Sequence, residues 1–317
     1  MSRVTVVVPV HNEAGNIHPL YEAVDRVFAG LTGYAWRLLF IDDGSSDDSA
    51  AHIERIAAKD DRVSLVRFSR NFGKEAALSA GIAHAADADA IVLMDGDLQH
   101  PPAVIPEFIR AWEAGADVVV GVRGKNPDEG AARRFASRSF AAIMRAITDV
   151  PTVPGATDFR LIDRSVARAF LAFTEHGRIA RGLIDWLGFS RTYVSFDAGQ
   201  RHAGQAQYGF FRLVGLGFSA FLSHSLLPLR LAGYLGVGVT LISGVLGLFI
   251  LVEQVMLGDP LHMDTSPIGM IAVMILFLNG IVLVCIGLVS LYIERIHQES
   301  LGRPLYVERA PRRAHKA

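Results

Sequence analysis

The sequence predicts an α/β protein: an open, mostly parallel sheet domain followed by a membrane-associated C-terminal part. Three observations predict it. Short, nearly continuous apolar runs alternate with longer helical patterns as far as Leu229. Two long uncharged stretches follow. Polar residues cluster directly after the apolar runs, where open α/β sheets bind ligands.

The runs Val4–Val10, Arg37–Asp42, Val63–Phe68, Ala90–Asp95 and Asp117–Val122 are rich in β-branched residues and hardly alternate with polar ones. Strands read this way when helices cover both faces of a parallel sheet. Helical patterns fill the gaps at Ala14–Ala29, Asp47–Lys59, Lys74–Ala86, Pro102–Gly115 and Gly130–Thr148. Strand and helix in alternation give a doubly wound sheet. We place this domain at residues 1–207.

Tyr208–Arg230 is dominated by Phe and Leu, with Arg212 and Arg230 the chief charges. It is expected to form amphipathic helices on the membrane surface, although a helix packed under the globular domain would read similarly. Leu231–Val252 and Ile268–Ile293 carry no charged residue, and each is long enough to cross about 30 Å of hydrocarbon. Buried core helices would show a polar face, and neither stretch has one. The intervening Glu253–Pro267 holds Glu253, Asp259 and Asp264 and neither Lys nor Arg, whereas residues 294–317 are basic. The positive-inside rule then puts both that tail and the N-terminal domain on the cytoplasmic side. Met1–Val10 is too short an apolar run for a signal peptide.

Charge and cysteine content exclude several classes. The 317 residues carry a formal net charge of −1, so no domain-wide basic excess exists to neutralise nucleic-acid phosphates. A single cysteine, Cys285, excludes an intrachain disulfide framework and a Cys-based zinc site. Gly-x₄-Gly-Lys-Ser/Thr and a post-strand Gly-x-Gly-x-x-Gly are both missing, which removes support for ATP hydrolysis and hydride transfer.

The sharpest chemical signal is Asp95-Gly96-Asp97. Two carboxylates two residues apart on a glycine turn can face one divalent cation. Hard oxygen donors suit Mg²⁺ or Mn²⁺ with water and substrate phosphates completing the shell. Gln99 is a further candidate oxygen ligand. Asp87-Ala88-Asp89 has the same spacing but precedes its strand, so it reads as a solvated turn. His100 reads as the residue before a Pro-initiated helix. The other strand ends offer Pro9, Asn12 and Glu13, then Asp42 and Asp43, then Lys74, then Arg123. Asp42–Asp47 reads as an acidic turn for a base or ribose, or as a helix N-cap at Ser46 or Asp47.

Val6–Glu13, Ile41–Asp47, Arg70–Lys74 and Met94–Pro102, in this order and spacing, resemble family 2 glycosyltransferases of the GT-A fold. The branch they are most similar to is the polyprenyl-phosphate (dolichol-phosphate type) glycosyltransferases, on Asp158–Arg164, Arg201-x-x-Gly204 and the two uncharged stretches. The resemblance implies that Pro9, Asn12, Glu13 and Asp42 line the base and ribose pocket. Asp43, Lys74, Asp95, Gly96 and Arg123 join them around the nucleotide sugar. Asp95, Asp97 and Gln99 would hold Mg²⁺ or Mn²⁺ on the donor diphosphate. Asp158 would stand near the acceptor, and Arg201, with Arg160 and Gln207, would meet its phosphate. Ala206 stands where the family usually has Ser or Thr, which removes a hydroxyl from that loop. The Gln-x-x-Arg-Trp signature of processive synthases is absent.

The implied reaction is inverting, metal-dependent transfer of a hexose, with UDP-glucose the first choice of donor, to undecaprenyl or dolichyl phosphate at the cytoplasmic leaflet. GDP-mannose, UDP-N-acetylhexosamine and a UDP-aminoarabinose donor also suit the pattern. So does transfer to a lipid or glycan hydroxyl. A non-catalytic nucleotide-sugar-binding scaffold is the reading outside enzymes. The expected partners are donor, lipid phosphate and bilayer, and a homo-oligomer is left open.

Overall fold

The computed structural model describes residues 1–124, 153, 155–175, 178–197, 245 and 267–309. The expected helix 130–148, the interfacial segment, the first uncharged stretch apart from Val245, and the loop bearing Arg201, Ala206 and Gln207 lie outside them. The chain divides into two units, Met1–Gln207 with Arg303–Ala317, and Tyr208–Gly302.

In the first unit the described strands are β1 (Ser2–Val10), β2 (Tyr34–Asp42), β3 (Val63–Arg67), β4 (Ala90–Leu93), β5 (Val118–Arg123), β6 (Ala156–Asp163) and β7 (Arg191–Phe196). They form one sheet in the order β3-β2-β1-β4-β6-β5-β7. β6 runs antiparallel to both its neighbours, and every other pairing is parallel. The mostly parallel sheet is therefore as expected. β6 and β7 are additions to the five strands read from the sequence.

Helices α1 (Ala14–Ala29), α2 (Ser49–Ala57) and α4 (Ile105–Glu113) cover one face. Helices α3 (Lys74–His84), α5 (Arg164–Leu171) and α6 (Ala180–Trp186) cover the other. β1 shows why its run is so uniformly apolar. Val4, Val6, Val8 and Val10 face the first layer and Val7 the second, all buried. On α1, Ile17, Leu20, Val24 and Phe28 recur at helical spacing and supply the buried stripe.

α3 has a different design. Ala76, Ala77, Ser79, Ala80 and Gly81 let it lie almost flat on the sheet. A Cβ at Gly81 would stand 2.1 Å from Cγ1 of Val7. This close approach brings the first residue of α3, Lys74, down to the ends of the strands. Gly81→Ala should therefore cost about 1–3 kcal/mol through overpacking, despite the better helix propensity of Ala. Urea unfolding of the variant, with unchanged or raised stability as the contrary result, checks this.

The described part of the second unit is chiefly α7 (Pro267–Ser300). Its 34 residues amount to about 51 Å at 1.5 Å per residue, and it contains the uncharged stretch 268–293. Among the described residues, no helix is long and apolar enough to cross a membrane.

Candidate active site

Parallel strands deliver their carboxyl ends to one edge, and that edge carries the polar clusters. β1 and β4 pair only as far as Val7 opposite Leu93, and Met94 N still donates to Val7 O. Beyond that the strands part. Pro9 falls where they part, so its missing N–H costs no ladder bond.

β6 decides the arrangement. It runs antiparallel to β4 with Leu93 opposite Arg160. Carried two residues further, the register puts Asp158 opposite Asp95. From the far side, Lys74 at the start of α3 reaches both carboxylates. Its Nζ lies 2.6 Å from Asp95 Oδ1 and 2.8 Å from Asp158 Oδ2. Burial pulls the Lys74 pKa down, but the two carboxylates outweigh it and hold the ammonium above its usual range. Burial pushes Asp158 up, and Lys74, with Arg181 and Arg160, together more than offset this, leaving its carboxyl below the ordinary value. Arg181 is 3.9 Å from Asp158 on the side away from Lys74's oxygen. The ammonium of Lys74 thus stands between the carboxyl groups of Asp95 and Asp158, in one row.

The Asp95–Gln99 turn is held from several directions. Gln99 N donates to Asp97 Oδ1, and Arg123 donates to Gln99 Oε1 at 2.8 Å. Arg123 thus stands beside the turn. Gln99's oxygen already serves Arg123 with one of its two lone pairs, which leaves one for a cation. Leu98 takes φ 62°, a left-handed conformation that a branched residue adopts at a cost of order 1 kcal/mol.

His100 is more than the residue before a helix. It is 3% exposed, stacks on Phe159 with ring centroids 5.1 Å apart, and accepts the Asp95 N–H at Nδ1, 3.0 Å away. It therefore fixes the backbone of Asp95 and must be neutral there, with its proton on Nε2. Burial lowers its pKa below the usual 6.5. As pH falls below about 6.5, the unfolded chain takes up a proton that the folded chain resists, so stability drops through that window. His100→Asn should flatten the fall in Tm between pH 7 and 5. An identical slope would contradict this.

The nucleotide-side residues mostly build loops. Asn12, at φ 58°, uses Oδ1 to accept Ser46 N and Ser46 Oγ, while its own N–H donates to Ser45 Oγ. Glu13 N donates to Ser49 Oγ. α2 begins at Ser49 with Asp48 at its N-cap, later than the Ser46 or Asp47 cap read from sequence. Asp42 does not face a ligand as the resemblance implies. It is 0% exposed, accepts Ser45 N, and lies 3.1 Å from Arg67 Nε. Asp43 is likewise buried, accepting Phe72 N and Gly73 N at 2.6 and 2.9 Å. A Cβ on Gly44, at φ 67°, would stand 2.4 Å from the Arg70 carbonyl carbon. Asp43 and Gly44 therefore seat the Ser69–Lys74 loop and so aim Lys74.

Arg160 also departs from expectation. It is 2% exposed and bonds Asp185 through both terminal nitrogens at 2.8 and 3.2 Å. That buried pair is a structural tie between β6 and α6, out of reach of an acceptor phosphate. Asp87 and Asp89 lie at the amino ends of the strands, paired with Arg3 and Arg164. Glu75 escaped the sequence reading. It accepts Ala180 N at 2.7 Å, and burial raises its pKa. Its only signal was its place beside Lys74. Arg181 and the supporting role of His100 had none.

The model of the family described as "Glycosyl transferase family 2" matches residues 5–171. This chain belongs to that family. The glycosyltransferase is 35% identical over 305 residues to a bactoprenol glucosyl transferase of Shigella phage SfV, covering 96% of this chain and 97% of that one. It is 32% identical over 303 residues to an uncharacterized glycosyltransferase of Synechocystis, covering 96% and 93%. Among solved structures, a glucosyl-3-phosphoglycerate synthase of Mycobacterium tuberculosis aligns over 68% of this chain and 76% of its own with 19% identity and a TM-score of 0.46. The match to the family runs from β1 to the end of α5, so the strand-end cluster of this glycosyltransferase lies wholly within it.

Proposed function

We propose that the enzyme transfers glucose from UDP-glucose to a polyprenyl phosphate, with inversion at the anomeric carbon. The observation that carries this is the Asp95–Lys74–Asp158 row at the strand ends. It offers charge for a diphosphate leaving group on one side and a carboxylate for an acceptor on the other. Similarity at nearly full length to a bactoprenol glucosyl transferase supports the choice of sugar and carrier.

The residues fit a divalent cation. The Lys74 ammonium, 2.6 Å from Asp95, shows that positive charge is stable there. No group of three or more His, Cys, Asp or Glu forms a ready cage among the described residues. Asp95 and Asp97 alone would leave positions for water and diphosphate oxygens, the usual Mg²⁺ or Mn²⁺ arrangement. Bound there, the cation would neutralise charge on the departing diphosphate.

The other steps belong to the protein. Arg123, beside the turn, and Lys74, at the start of α3, place two cations around the donor diphosphate. A polyprenyl phosphate, by analogy with phosphate monoesters, has a second pKa near 6 and is largely dianionic at pH 7, so it needs little general-base help. Asp158 orients it, and Arg201 draws its phosphate in. Attack from the face opposite the diphosphate inverts the anomeric centre. Positioning and electrostatics then supply most of the rate.

We place the catalytic domain and the C-terminal tail on the cytoplasmic side of a membrane crossed by two spans, 231–252 and 268–293. Support comes from the uncharged second stretch within the 34-residue α7 and from the basic residues after it. A Cys285→Ser background with a single cysteine at Gln254 should label only from the outside of intact cells. Labelling from the cytoplasm would reject the topology.

The function is tested by offering the full-length enzyme polyprenyl phosphate, Mg²⁺ or Mn²⁺, and UDP-glucose, GDP-mannose, UDP-N-acetylhexosamine or UDP-aminoarabinose in parallel. Mass spectrometry should find a glucosyl lipid monophosphate that is acid-labile and base-stable. A glycosidic lipid stable to acid would point to a hydroxyl acceptor. No product from any donor would reject the proposal.

A further inference from the structure

We propose that the C-terminal segment Arg303–Arg309 is a working part of the transferase domain, with Tyr306 a positioning residue for the Ser69–Lys74 loop. The proposal goes beyond the transfer reaction and rests on it only for the kinetic half of its test.

β3 is the outer strand of the sheet on its side, so its edge offers unpaired backbone groups. The C-terminal segment covers that edge. Phe68 and Glu308 form an antiparallel bridge, Ser69 N donates to Val307 O at 2.9 Å, and Arg309 N donates to Arg67 O at 2.7 Å. Backbone pairing alone would protect the edge. The side chains reach further. Tyr306 stacks on Phe68 with ring centroids 4.9 Å apart and planes 12° from parallel. Phe68 meets Phe72 edge-on at 5.7 Å, and the Arg70 guanidinium caps the Phe72 ring at 4.1 Å. At the other end of α3, His84 Nε2 lies 2.7 Å from Glu308 Oε1.

The loop is thus held on two sides. Asp43, just past β2, grips Phe72 N and Gly73 N, and the Tyr306–Phe68–Phe72 ring series backs the loop from the edge. The next residue is Lys74, which spans Asp95 and Asp158. Loss of the Tyr306 ring lets Phe68 and Phe72 relax and blurs the position of the ammonium. The enzyme then binds its donor less well while its reacting carboxylates stay in place.

The test compares Tyr306→Ala and Tyr306→Phe in the full-length enzyme. A stacked aromatic pair sets the expected effect at about 3- to 10-fold. Tyr306→Ala should raise the donor KM and speed amide exchange across 69–74 by that factor, with kcat changed less. Tyr306→Phe, which keeps the ring, should restore both. Tyr306→Leu takes the place of Tyr306→Ala if the latter does not fold. A lowered Tm with unchanged KM and unchanged exchange in 69–74 would reduce the segment to edge protection and overturn the proposal. If the wild type uses no nucleotide sugar, the transfer reading fails, and the exchange measurement still decides the role of Tyr306.

Discussion

Asp158→Asn should cut turnover by about 10³-fold while the nucleotide-sugar Kd stays within a fewfold. The size follows from the contribution of one well-placed acid–base or orienting group, typically about 10²–10⁴. The split between turnover and binding follows from the geometry. Asp158 faces Asp95 across the β4–β6 register and shares Lys74 with it. Asparagine keeps an oxygen that can accept from Lys74, and Asp95 still holds the ammonium, so the donor side keeps its cation. What disappears is the negative charge on the acceptor side. Steady-state kinetics with titrated lipid phosphate, beside calorimetric titration of UDP, separate the two quantities. Turnover near wild type would remove Asp158 from the chemistry, and an equal loss of UDP affinity would reassign it to the donor.

The second large effect concerns the turn after β4. Asp97→Asn, or Asp95→Asn, should lower transfer by at least about 10²-fold and abolish its stimulation by Mn²⁺. In Asp95→Asn the Lys74 ammonium loses one of its two carboxylates and swings toward Asp158. That variant should therefore also perturb the acceptor side, raising the KM for lipid phosphate. Asp97→Asn, whose carboxylate caps Gln99 N, should not. Metal titrations at fixed donor and acceptor check both. Undiminished Mn²⁺ stimulation in either variant would move the cation elsewhere.

The sequence is a good guide to the elements whose period reflects burial. β1 to β5 are legible as short, nearly continuous apolar runs, and α1, α2 and α4 because apolar residues recur at helical spacing. β6 is not, since Ala156–Asp163 mixes Thr, Asp and Arg among its apolar residues. Those polar residues have tertiary reasons. Thr157 bonds the Gly121 carbonyl, Asp158 meets Lys74, and Arg160 is buried on Asp185. A single sequence cannot reveal a strand inserted between β4 and β5, and with it goes the placing of Asp158 opposite Asp95.

The strand-end rule and the family resemblance singled out Asp95, Asp97, Lys74, Arg123 and Asp158, and the structure brings Asp95, Lys74 and Asp158 into contact. They did not separate residues that face a ligand from residues that hold a loop. Asp42, Asp43 and Arg160 are charged residues in motif positions, and the structure buries each on an internal partner. His100 reverses the case, an inconspicuous residue that holds the Asp95 backbone. The C-terminal segment reads as a basic tail because its charges are visible, whereas the Tyr306 stack depends on a fold that brings it beside β3.

The most direct test is anomalous diffraction from crystals of the full-length enzyme with Mn²⁺ and UDP. A single manganese peak should lie on Asp95 and Asp97 carboxylate oxygens, bridged to the diphosphate, with Lys74 moved onto a phosphate oxygen and Asp158 free on the opposite side. Manganese bound away from Asp95 and Asp97, or a diphosphate seated without contact to either, would contradict the proposed chemistry.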